Sequence, residues 1–192
     1  MHEPISAQQQ VLGLLERHLS MERDERASAD AFSAFAAEHT DCCERTLAIG
    51  HFTGSAWVVS ADGQRVLLMH HRKLDRWLQL GGHADGDGDL AAVALREAQE
   101  ESGLSGLVLE GSVFDLDRHF IPARGAEAGH WHYDVRYVVR ASHDESFVVN
   151  EESHAMAWRP IDELAADPHA DESLRRMAAK WLRVRLAHQI HR

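Results

Sequence analysis

The stretch REAQEESGL, residues 96–104, places Glu97, Glu100 and Glu101 within two helical turns. Side chains three and four positions apart share one face of a helix. Like charges at that spacing repel by about 0.2–0.5 kcal/mol per pair in isolated helices. A sequence that needed only a helix would interleave lysines here. The concentration of carboxylates therefore predicts a cation in front of that face. Gly103 supplies the helix stop, and the Gly- and Asp-rich segment GGHADGDGD, residues 81–89, reads as the loop that leads into the helix.

Working outward, residues 52–60 (FTGSAWVVS) and 65–71 (RVLLMHH) are β-like runs joined by ADGQ, whose Asp-Gly pair predicts a hairpin. Three further strand-like runs follow the 90–102 helix, at 107–121, 131–140 and 154–160. Pro160 and Asp162 open a short helix. A last helix over 171–189 carries Leu174, Met177, Ala178, Trp181, Leu182 and Leu186 on its apolar side. Before the first strand, residues 5–40 are helical in pattern. Val11, Leu12, Leu14, Leu15 and Leu19 form one stripe, Phe32, Phe35 and Ala36 a second, with a break between Glu22 and Asp30. The order αα-ββ-α-β-β-β-α-α predicts an α/β layered fold around a mixed sheet.

The wider stretch GHADGDGDLAAVALREAQEESGL, residues 82–104, resembles the Nudix box, G-x5-E-x7-R-E-U-x-E-E-x-G-U, where U is a bulky apolar residue. Gly82 takes the first position, Arg96 and Glu97 the R-E pair, Glu100 and Glu101 the E-E pair, and Gly103 and Leu104 close the motif. Two positions depart: Gly88 stands where the pattern has its first glutamate, and Ala98 where it has its first bulky residue. The resemblance implies an α/β/α sandwich around a mixed sheet over residues 46–192, including the C-terminal helix. Residues 1–45 form a helical extension that the resemblance does not cover.

The resemblance also implies an activity. Nudix enzymes typically hydrolyse a nucleoside diphosphate linked to another group. An anionic diphosphate and a carboxylate face are reconciled by Mg²⁺ or Mn²⁺, hard cations that take both kinds of oxygen. By the resemblance, Glu97, Glu100 and Glu101 are metal ligands and the carbonyl of Gly81 or Gly82 adds another. The catalytic carboxylates are Glu97, Glu101 and Glu152, the last from the NEES segment of residues 150–153. Gly82, Arg96 and Gly103 are structural. Without its usual glutamate, Arg96 must find a partner among Asp85, Asp87 and Asp89. The alternative is a Nudix-fold ligand sensor with weak catalysis, for which Gly88 would be the sign of decay.

Two other readings of these residues fail on spacing. An EF-hand loop beginning at Asp85 would need glycine sixth and glutamate twelfth, where the chain has Leu90 and Arg96. The isoprenoid diphosphate isomerases use a cysteine close to the box, whereas Cys42 and Cys43 precede the first strand.

Histidines give the second signal. Strand alternation in HWHYDVRYVV, residues 130–139, sets His130, His132, Asp134 and Arg136 on one face. His83, directly after the two box glycines, together with His132 and Arg136, is expected to contact substrate, the arginine as a bidentate phosphate clamp.

Composition bounds the partners. The formal net charge is 20 − 31 = −11, with no basic patch, which argues against a nucleic acid polymer; the small-molecule diphosphate that the resemblance implies would be reached through cations. No apolar run approaches the about 18 residues of a membrane span. The adjacent cysteines suit a reducing compartment, and MHEPISAQQQ shows no secretory pattern. The expectation is a soluble cytoplasmic protein, with a homodimer left open.

Overall fold

The computed structural model describes residues 4–21, 25–125, 128–151 and 153–190. Helices α1 (Ala7–Met21) and α2 (Arg26–Glu38) precede strands β1 (Gly50–Val59), β2 (Arg65–His71), β3 (Arg76–Leu78) and β4 (Leu80–His83). Helix α3 (Leu90–Ser102) is followed by β5 (Val108–Ile121), β6 (His130–Arg140), β7 (Ser153–Pro160), α4 (Ile161–Ala166) and α5 (Glu172–Ile190). The strands form one seven-stranded mixed sheet with the path β3-β2-β1-β6-β5, β4 pairing with β1 and β7 with β2. Helices cover both sides, the α/β/α sandwich expected from the sequence. All ten residues of β1 are buried, as its central place requires.

Contacts group the chain into two compact units. The first comprises residues 1–55, 81–97 and 111–137. Its core is aromatic. Phe35 of α2 stacks on Tyr133 of β6 at 3.9 Å between centroids, while Phe32 meets Tyr133 at 5.3 Å and Phe52 of β1 at 5.9 Å. The Phe32–Phe35 stripe is thus what joins α2 to the strands, and Val11 and Leu15 of α1 are fully covered. The second unit comprises residues 56–80, 98–110 and 138–192. Here the β1–β2 hairpin is as expected, with Val59 opposite Val66. β2 also pairs with β7, from Arg65 opposite Pro160 to His71 opposite Ser153. Gly63, at φ +67°, holds the left-handed position of the hairpin turn. Its carbonyl accepts hydrogen bonds from Trp181 Nε1 at 2.9 Å and Arg185 Nη1 at 2.8 Å, which ties α5 to the hairpin. The apolar stripe of α5 ends there: Leu174, Met177, Ala178 and Trp181 are buried, whereas Leu186 is exposed.

Two strands were not legible as strands. β3 lies in the basic segment after β2, and β4 takes the first residues of the segment read as a loop. The reason for the second lies in packing. A Cβ on Gly81 would stand 2.4 Å from Ser55 Oγ and 2.7 Å from Ser55 Cα. Gly81 serves close approach of β4 to β1, not loop freedom.

The rest of the segment is held by the chain's N-terminal part. Arg45 grips Asp85 through Nε and Nη2 at 2.6 and 2.7 Å. The Gly86 amide donates to the Cys43 carbonyl at 3.0 Å. Gly88 faces the start of α1: a Cβ there would lie 2.6 Å from both Cα and the carbonyl oxygen of Ala7. The glycine that departs from the box is therefore demanded by the helical extension.

That contact makes Gly88 and Gly13 opposites. Gly88→Ala is expected to cost about 1–3 kcal/mol through overpacking against backbone. Gly13→Ala, inside α1 with only Arg17 Nη1 in contact range at 3.4 Å, is expected to add up to about 1 kcal/mol from helix propensity. Thermal melts of the two variants beside the parent should move in opposite directions. An unchanged or higher melting temperature for Gly88→Ala would contradict the packing argument.

Candidate active site

Helix α3 begins against a bare backbone. A Cβ on Gly54 of β1 would lie 2.7 Å from the Leu90 carbonyl and 3.0 Å from Val93 Cβ, so glycine there lets the first turn of α3 sit directly on the strand. Asp89 caps that turn by accepting the Ala92 amide at 3.1 Å, and Asp87 accepts the Asp89 amide at 2.9 Å. The helix ends as the sequence predicts: Gly103 has φ +68° and its amide donates to the Gln99 carbonyl at 2.9 Å. Each aspartate of DGDGD thus has a local task. Asp85 binds Arg45, Asp87 orders the turn, and Asp89 caps the helix, which accounts for their alternation without a calcium ion.

The box glutamates differ sharply in environment. Glu100 is exposed. The Glu97 side chain keeps 20% of its accessible surface. Glu101 is buried at 6%. A solvated helix face would explain Glu100 alone. The second box glycine adjoins this face directly, since a Cβ on Gly82 would stand 2.3 Å from Glu97 Oε2. A side chain at this position would displace the Glu97 carboxylate from its place beside the β4 backbone. The donor set is all oxygen, which suits a hard divalent cation.

Arg96 is half-exposed. Its Nη2 lies 3.3 Å from Glu97 Oε1, and Nη1 reaches Asp87 Oδ2 only at 4.0 Å. Asp87, one of the three expected candidates, is the loop partner, at a long distance. Glu152 lies outside the described residues.

Arg136 has a different role from the one expected. Its side chain is 2% exposed and enclosed by carboxylates: Nε to Asp134 at 2.7 Å, Nη2 to Asp117 at 3.1 Å and Nη1 to Asp115 at 3.2 Å. Asp134 also accepts hydrogen bonds from Thr53 Oγ1 at 2.9 Å and Ser55 Oγ at 2.7 Å. Burial alone would push the guanidinium pKa down, but the three aspartates outweigh it and hold it above its ordinary value. With its donors turned to three acidic neighbours, Arg136 braces β5, β6 and β1 and does not match a clamp open to a phosphate. Alternation along β6 had set the correct face but could not show the carboxylates of β5 beside it.

His83 and His132 do come together, and His51 joins them. The three ring centroids form a triangle with sides of 5.0 Å (His51–His83), 4.9 Å (His51–His132) and 5.1 Å (His83–His132). His51 was not anticipated. It is the second residue of β1, one residue before the run that reads as a strand, so its place beside the other rings had no sequence signal. His130 stacks on His51 at 5.0 Å, and His119 lies 5.4 Å from His132. Burial lowers the His51 pKa to about 4, helped by repulsion from His83 and His130. His132 is lowered further by the same causes, burial first and then His83, His51, His119 and His130.

The NUDIX domain family matches residues 51–181. Among solved structures, the fold is similar to that of a C. elegans Ap4A hydrolase, with TM-score 0.57 and 14% identity over 71% of this chain and 98% of that one. It is similar also to a MutT protein from Methanosarcina mazei Go1, with TM-score 0.54 and 16% identity over 72% and 97% of the two chains. A UDP-X diphosphatase aligns over 96% of this chain and 93% of its own, at TM-score 0.52 and 15% identity. No curated protein matches the chain in sequence. Among the described residues, no helix is long and apolar enough to cross a membrane.

The histidine shifts give a pH dependence with a definite sign. Below the ordinary value of 6.5 the unfolded chain protonates these rings while the folded protein keeps them neutral. The unfolded state then binds more protons, so stability falls as pH drops from 6.5 towards 4, by up to about 1.4 kcal/mol per pH unit for each ring. Melting temperature should be lower at pH 5 than at pH 7, and His132→Gln should flatten the slope. A flat profile in the parent protein would show that the rings are not held neutral.

Proposed function

Because the chain belongs to the Nudix family, we propose that it is a metal-dependent hydrolase of the diphosphate linkage in a nucleoside diphosphate-X or related small molecule. The observation that carries this reading is the box helix, which keeps Arg96, Glu97, Glu100 and Glu101 in register with one carboxylate buried and another against the Gly82 backbone. Burying a carboxylate costs free energy unless its charge is matched.

In this reading Glu97, Glu100, Glu101 and the Gly81 carbonyl hold Mg²⁺ or Mn²⁺. When bound, such an ion polarises the phosphoryl group and lowers the pKa of a coordinated water. The chain's own residues do the rest. Glu97, Glu101 and Glu152 supply the candidates for the carboxylate that removes the proton from the attacking water, a contribution of roughly 10²- to 10⁴-fold. Gly82 keeps Glu97 in place by leaving room for it. Arg96 sits beside Glu97 and orients its carboxylate. His83, next to Gly82, and His132 are the substrate-side groups. Arg136 acts as a positioning residue through Asp134. The sensor alternative drew on Gly88, and the contact of Gly88 with Ala7 gives that residue a packing reason instead of decay.

A panel of nucleoside diphosphate-X compounds and other diphosphates, assayed with Mg²⁺ and Mn²⁺, tests the reading. Hydrolysis should require the ion and stop in EDTA. Glu101→Gln should lower kcat by at least about 10²-fold and reduce the rise in melting temperature that the ion brings. Glu163→Gln, the same change at an exposed position of α4, should alter neither; Glu110 would be a poor control because Arg140 pairs with it. Full turnover in EDTA would overturn the metal mechanism. Binding of metal and diphosphate without turnover would favour the sensor.

A further inference from the structure

We propose that His51, His83 and His132 form a second metal site, distinct from the carboxylate face, that takes a borderline divalent transition ion such as Zn²⁺. The three residues come from β1, β4 and β6, and their nearest ring nitrogens lie within 4.8 Å of one another. In a tetrahedral zinc site with Zn–N of about 2.0–2.1 Å, imidazole nitrogens stand about 3.3 Å apart and ring centroids about 5 Å apart. The centroids already have that spacing, at 4.9–5.1 Å. The remaining contraction is one of turning rings, not of moving strands.

His51 points independently to a ligand. It is 2% exposed, and neither Nδ1 nor Nε2 makes a hydrogen bond; the Leu47 backbone is near without closing one. A buried polar atom left unpaired costs about 1–3 kcal/mol, and an ion is among the few partners that would satisfy a lone pair there. A phosphate could meet neutral His51 and His132 only through single N–H donors with no matching charge, because burial and the neighbouring imidazoles oppose their protonation.

The surrounding groups orient the rings as supporting partners do in metal sites. The Ala128 carbonyl accepts from His130 Nδ1 at 2.9 Å, so in neutral His130 the lone pair is on Nε2. That nitrogen lies 3.2 Å from His132 Nε2, which must then donate, leaving the His132 lone pair on Nδ1. His119, whose Nδ1 is 3.0 Å from Asp117 Oδ2, lies 5.4 Å from His132 and offers a further nitrogen donor for a fourth position, since the His130 Nε2 lone pair already faces His132. Imidazoles select zinc, copper or nickel, whereas carboxylates and carbonyls select magnesium or manganese, so the two donor sets sort ions by chemistry. Any contact of His83 or His132 with substrate would then run through the ion.

Untagged protein, stripped with EDTA and dialysed, is titrated with Zn²⁺ by calorimetry and with Co²⁺ by visible absorption. One equivalent per chain is expected, with a Co²⁺ spectrum of low coordination number and nitrogen ligation. His83→Gln should weaken binding by more than the roughly 10- to 100-fold that loss of a supporting group brings. His132→Gln should do the same, and Glu101→Gln should leave Zn²⁺ affinity unchanged. His83 is only half-buried, so its variant should fold; a melting curve without metal confirms that. The proposal is overturned if the parent binds no Zn²⁺ at micromolar concentration, if both histidine variants bind as the parent does, or if Glu101→Gln abolishes binding.

Discussion

The site depends on backbone passing where a side chain cannot. Gly81 lies against Ser55 and Gly82 against Glu97, each closer than a Cβ would allow. Gly54 completes the set by admitting the first turn of α3 onto β1. These three contacts set β4 against β1 and the box helix against both. A methyl group at any of them would have to shift backbone or a charged side chain, in a region already packed to interior density. The glycines of the box are therefore steric requirements before they are anything else.

The chain then solves a problem that its own sequence creates. The box pattern has a glutamate at position 88, where this chain has glycine. The space is taken by Ala7 at the start of α1, and the loop is held from the same N-terminal part by the Arg45–Asp85 pair and the Cys43 carbonyl. The pair is exposed and contributes little by itself; its value is in setting the loop's position. Arg96, released from a glutamate, turns to Glu97, its neighbour in sequence and a proposed ligand. The helical extension and the altered box position are in this way one adaptation.

Periodicity made most of the fold legible. The hairpin, the box helix with its Gly103 stop, the three later strands and the four other helices follow from apolar spacing and turn residues, which are local signals. β3 and β4 were hidden because three- and four-residue strands carry too few side chains to show alternation, and glycines mask what little there is. In the site, the motif placed the glutamates, but burial separated Glu101 from Glu100, and burial is a property of the packed molecule. Arg136 shows the same limit. Its face was correct, yet its three aspartate partners come from Asp134 two residues away on β6 and from Asp115 and Asp117 on β5. Only strand pairing brings β5 alongside, and a sequence read element by element has no register between strands.

The histidine cluster follows from that same missing register. His51, His83 and His132 are far apart in sequence, and each alone reads as an ordinary polar residue near a strand end. Pairing of β1 with both β4 and β6 sets the three on one face. Once there, burial and mutual repulsion keep His51 and His132 neutral, so they carry lone pairs where the glutamates of α3 carry charge. A chain with net charge of −11 already favours cations over anions at its surface. With Gly82 at the carboxylate Glu97 and His83 at the imidazoles, one step along β4 passes from hard oxygen donors to nitrogen donors. The donor chemistry at this end of β4 is therefore set less by total charge than by which residue turns to which neighbour.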